Sequence, residues 1–181
     1  MTTEMNIPAL ADLEYFPYID DNGQLPEIFT GKIGVYAIFN LDKVLQFVGY
    51  SRDVSLSLKQ HLVRQPQECY WVKVQTITRP NRTVLENIES AWIAENGSLP
   101  VGNADNKEKW THSIDVIPLM TPEEQEKYHH PANDELAKVK IIKNVARRVE
   151  AEILLVLQER GLQEQFRFNP KLKEDGLLDL K

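Results

Sequence analysis

Apolar residues fall into blocks whose spacing changes along the chain. Ile33 to Phe39 is a β-branched and aromatic run, which predicts a buried strand. Asn40-Leu41-Asp42-Lys43 predicts a turn, and Val44 to Val48 a second strand, so the two form a hairpin ended by Gly49. Beyond it Val54, Leu58, His61 and Leu62 share one face of a helix capped by Ser51 or Asp53 and running to about Arg64. Tyr70 to Ile77 alternates as a half-buried strand. Asn81 or Thr83 then caps a second helix, with Leu85, Ile88 and Trp92 as its apolar stripe and Asn96-Gly97 as its stop.

After the loop Leu99 to Asn103, Ile114 to Leu119 reads as a further strand, and Thr121-Pro122-Glu123-Glu124 as a capping box opening a short helix. From Asn133 to Arg160 the chain predicts one long amphipathic helix closed by Gly161. Its seam is Val139, Ile142, Ala146, Val149, Ile153 and Val156. That face either packs on its own domain or forms a dimer or partner interface. The first thirty residues carry Pro8, Pro17 and Pro26 and too much turn chemistry for long elements; Tyr15, Phe16, Tyr18 and Phe29 are their anchors. The last twenty read as loosely structured. The expected organisation is a lead-in over 1–30, a domain over 31–119, a helical extension over 120–161 and a tail over 162–181.

Composition narrows the function. Forty-two per cent hydrophobic residues support a real core. The net charge of -6 repels phosphate backbones at long range, so nucleic acid is a disfavoured partner. The single cysteine, Cys69, precludes an intrachain disulfide and reads as a buried thiol. No basic-then-apolar leader opens the chain and no apolar window spans a bilayer, so a cytoplasmic protein without membrane contact is expected. His112 with His129-His130 matches no zinc spacing.

Glu89 lies at the margin of the second helix's stripe, where a carboxylate is costly unless it reaches water, a partner or a cation. Trp71, on the outer side of its strand, is a candidate stacking platform, and Arg79-Pro80-Asn81-Arg82 a small basic loop that could touch phosphate.

Residues 32–103 resemble the GIY-YIG nuclease domain family. The resemblance rests on Gly34-Val35-Tyr36, on Phe47-Val48-Gly49 with phenylalanine in a tyrosine position, and on His61, Glu89 and Asn103 in that order. It implies an α/β fold: a small mixed β-sheet flanked by helices, here with a long C-terminal helical extension. It implies that Glu89 holds a divalent cation (Mg2+ or Mn2+), with Tyr36 and His61 at the reacting phosphodiester and Phe47, Gly49, Ser57 and Asn103 lining the site. Ser57 stands where the family has an arginine. Loss of one transition-state donor costs on the order of 10²–10³ in rate.

The leading expectation is therefore a degenerate, catalytically impaired member. It would act as a binding or assembly module, engaging a second copy or a protein partner through residues 133–160. The alternative is an active endonuclease cutting DNA or RNA, with Arg52 replacing the missing arginine and Arg79 and Arg82 on nucleic acid.

Overall fold

The computed structural model describes residues 6–181, organised as two compact units that divide between Thr111 and His112. The opening Met1-Thr2-Thr3-Glu4, where no leader was read, lies outside the described residues.

The first unit is a four-stranded sheet with helices. Its strands are β1 (Phe16–Pro17), β2 (Ile33–Phe39), β3 (Leu45–Ser51) and β4 (Trp71–Ile77), in the order β1-β4-β2-β3. Every neighbouring pair is antiparallel, where a mixed sheet was expected. The reason is that β4 pairs with β2 rather than β3. The strands β3 and β4 run in the same direction with β2 between them, so no parallel neighbours form. The β2–β3 turn is held by the Asn40 carboxamide, whose Oδ1 accepts from Asp42 N and Val44 N, with Lys43 at φ +61°.

Three helices complete this unit. α1 (Val54–Arg64) is capped by Asp53, whose side chain accepts from Leu56 N. α2 (Arg82–Asn96) is capped by Asn81 and ends on Gly97 at φ +82°. α3 (Lys107–Thr111) follows the loop through Asn103. Strand alternation sorts the core. Val35, Ala37, Phe39 and Val48 cluster with Leu85, Ile88 and Trp92 of α2, while Tyr36 turns to the other face and meets His61 of α1.

The lead-in is built into this core. Leu10 is buried, its N–H and that of Ala11 donate to the Glu95 carboxylate, and the buried Lys73 ammonium donates to the Leu10 carbonyl at 2.9 Å. Trp71 is half-buried, with Tyr15 edge-on and Lys43 4.9 Å from its ring centre, so it is engaged inside the fold.

The second unit contains β5 (Ile114–Asp115), α4 (Pro122–Tyr128), α5 (Glu135–Glu159), α6 (Pro170–Lys173) and β6 (Leu177–Leu178). The predicted strand to Leu119 is shorter, because residues 117–119 turn into a 3-10 segment with proline in its first turn. The capping box at Thr121 and Glu124 forms in full. α5 buries Val145, Ala146, Val149 and Leu157 within this unit and leaves Leu154 and Leu155 exposed.

The C-terminal residues differ from the loose tail expected. β6 pairs antiparallel with β5, and Phe168 and Leu178 are buried. That pairing joins segments far apart in the chain, which local spacing cannot reveal. Among the described residues, no helix is long and apolar enough to cross a membrane.

Candidate functional site: a charged cleft at the sheet edge

β3 is an edge strand, and a loop covers part of it. Asn103 Oδ1 accepts from Val48 N and its Nδ2 donates to Val48 O, both at 2.8 Å, so one side chain imitates a neighbouring strand. Gly102 makes the approach possible: a Cβ there would stand 2.5 Å from the Gln46 carbonyl oxygen. This loop, α1, α2 and α3 frame an open cleft of about 370 Å³.

Tyr36, Phe47, Gly49, Ser57, His61, Glu89 and Asn103, all singled out from sequence, line this cleft together. Tyr50, Gln60, Arg64, Lys107 and Thr111 line it too and were missed. Arg64 carried a readable signal, since it lies one helical turn beyond His61. Lys107 comes from a helix that periodicity did not pick out.

The floor of the cleft is aromatic and buried. The Tyr36 hydroxyl bonds His61 Nε2 at 2.8 Å. Phe47 stacks on Trp110 at 5.4 Å with planes 2° apart, and its ring is 4.7 Å from that of His61. Gly49 lets these rings close up: a Cβ there would meet Phe47 at 2.6 Å and the Tyr36 hydroxyl at 2.9 Å. Phe47 thus forms a wall of the core rather than an incomplete tyrosine.

Burial controls the titration of this pair. It raises Tyr36 well above the ordinary tyrosine range, against the smaller effects of the Ser57 hydroxyl and Arg64. It lowers His61 to about 3, with the Arg64 charge adding to the effect and hydrogen bonding toward the Trp110 backbone opposing it. Both groups are neutral near pH 7.

The polar rim has the opposite character. The half-buried Glu89 carboxyl is raised by burial and by Glu86, and drawn back down by the Lys107 ammonium. Arg64 Nη1 donates to the Trp110 carbonyl at 3.1 Å, which fixes the guanidinium beside the aromatic floor. Ser57 Oγ donates to Ser51 Oγ at 2.7 Å, so its hydroxyl is tied to the end of β3.

The remaining expected residues lie elsewhere. Arg52 is exposed and lines a separate depression with Tyr50, Asn81 and Arg82. It is not among the residues that line the cleft around the Tyr36–His61 pair. Arg82 pairs with Glu86 at 2.7 Å, and Arg79 is exposed and outside the cleft lining.

No family model matches the chain. Among curated proteins, it is 39% identical over 101 residues to a bifunctional monothiol glutaredoxin of the chloroplast from Arabidopsis thaliana. The match covers 54% of this chain and 33% of the relative, so the chain spans about a third of that protein's length.

This finding overturns the GIY-YIG resemblance, for the relative is named as a glutaredoxin and no nuclease family is matched. With it go the degenerate-member reading, the assembly role drawn from it and the endonuclease alternative. The Mg2+ or Mn2+ cofactor is also withdrawn: among the described residues no group of three or more His, Cys, Asp or Glu side chains could hold a metal ion. Close packing within the sheet accounts for the two glycines of the short motifs. Gly34 is required because a Cβ would stand 2.6 Å from the Gln75 carbonyl oxygen, and Gly49 because of Phe47 and Tyr36. The matched portion of a bifunctional, chloroplastic glutaredoxin is what this chain is similar to.

Proposed function

We propose that the cleft is a binding site for a small zwitterion of amino-acid type, and that this chain binds its ligand without thiol chemistry of its own. The observation that carries the proposal is the convergence of Arg64, Lys107 and Glu89 on one open cleft above a neutral aromatic floor. A ligand carboxylate is suited to the two cations, because a guanidinium presents its donors in a planar fork. A ligand ammonium is suited to Glu89, whose ionised form is otherwise disfavoured by burial.

The thiol part of the relative's name does not transfer to this chain's chemistry. Cys69 is fully buried and its Sγ donates to the His61 carbonyl at 3.6 Å. Thiol exchange needs an accessible thiolate.

Calorimetric titration with amino acids and with the matching amines and carboxylic acids tests this. Zwitterions should bind more tightly than either half-molecule, and Lys107→Gln and Glu89→Gln should each weaken them several-fold. Binding should strengthen as pH rises through the raised range of Glu89. Equal affinity for all three ligand classes, or zwitterion binding unchanged in both variants, would refute the assignment.

A further inference from the structure

The second unit carries a basic groove in a chain whose net charge is -6. It has a volume of about 180 Å³ and is lined by Lys143, Arg147, Pro170, Lys171, Lys173 and Glu174. Lys143 and Arg147 lie four apart on α5 and share a face; Lys171 and Lys173 come from α6, which packs against it.

Two of the four cations are matched within the fold. Lys143 Nζ pairs with Glu174 at 3.0 Å, and Lys173 Nζ with Glu150 at 2.6 Å. Lys173 and Glu150 are largely buried, their side chains 16% and 20% exposed. Among the described residues Arg147 and Lys171 have no carboxylate partner. The matched lysines are therefore pinned as walls, and the unmatched pair supplies the free positive charge. Pinned side chains lose less freedom when a ligand arrives.

We propose that this groove is a binding site for a phosphate dianion, either inorganic phosphate or the terminal phosphate of a small phosphate monoester. Two unmatched cations neutralise two negative charges, and the volume admits a group of that size rather than a large ligand. Arg147 takes two phosphate oxygens in its fork, and Lys171 acts as a point charge on a third.

The test uses the full chain, with inorganic phosphate and glycerol phosphate as probes and chloride at equal ionic strength as the control. Phosphate should raise the melting temperature above the chloride control and shift the amide resonances of 143–147 and 171–174. Arg147→Gln combined with Lys171→Gln should abolish both effects, and because both side chains point to solvent the variant should remain folded. Lys107→Gln, in the other unit's cleft, should leave them intact. A glycerol phosphate effect larger than that of inorganic phosphate would identify the monoester as the ligand, and the reverse would identify the free ion. An equal rise in chloride, or a phosphate effect that persists in the double variant, would overturn the proposal.

Discussion

Asn103 shows how one side chain can secure an edge. Both halves of its carboxamide are spent on the Val48 backbone, so its role is to close the β3 edge, and contact with a ligand is secondary. Asn103→Ala leaves a buried N–H and carbonyl without partners and should cost about 1–3 kcal/mol, read from denaturant unfolding. His61 makes a second prediction. The folded ring stays neutral down to about 3, whereas the unfolded ring takes up a proton near its ordinary 6.5. Stability should therefore fall as pH drops below 6.5, by about 1.4 kcal/mol per unit where only the unfolded ring is protonated. Glu89 works the other way: its raised pKa favours the fold in acid and is a cost as pH rises past its ordinary 4.5. His61→Gln should flatten the acid limb of a stability–pH curve, and Glu89→Gln should steepen it. An unchanged acid limb in His61→Gln would show that the ring is not held neutral.

At the scale of elements, α4 and α5 are joined through Arg148. Its guanidinium donates to both oxygens of Glu124, to the Leu119 carbonyl at 2.8 Å and to Glu152. Glu124 also closes the capping box with Thr121, so one carboxylate both starts α4 and fixes it to α5. The Arg148 bond holds Glu124 below the usual carboxylate range, and this contribution to stability is lost as pH falls through that lowered value. Arg148→Gln should cost about 1.5–3 kcal/mol, the range for hydrogen bonds to charged groups. Thr121→Ala should cost about 1 kcal/mol through the cap alone. Circular dichroism melts of the two variants would separate the effects, and an Arg148 variant no less stable than the Thr121 variant would show the inter-helix bond to be idle.

For the whole molecule, Cys69 reports on global opening. With its thiol fully buried, a thiol reagent should label the native protein slowly and the denatured protein at once. Rapid labelling under native conditions would reopen thiol chemistry for this chain. The strands, caps and amphipathic stripes were readable because each rests on a local period or a short-range hydrogen bond: Asp53, Asn81, Thr121 and the Asn40 turn all act within four residues. The two short motifs were a poor guide to family, because the glycines in Gly34-Val35-Tyr36 and Phe47-Val48-Gly49 are already required by close packing against Gln75, Phe47 and Tyr36. Arg64 and Lys107 reach the cleft from the end of α1 and from α3, segments that spacing around Ser57 does not bring together.

The sequence by itself determined β2, β3, β4, α1 and α2, with their hydrophobic faces and the caps of α1 and α2, since these follow from spacing and from groups adjacent in the chain. Tertiary structure alone decided that β4 pairs with β2, that β6 returns to β5, and that Arg64, Glu89 and Lys107 share one cleft. Those outcomes depend on contacts between distant segments, where the fold of the whole unit sets which partners meet.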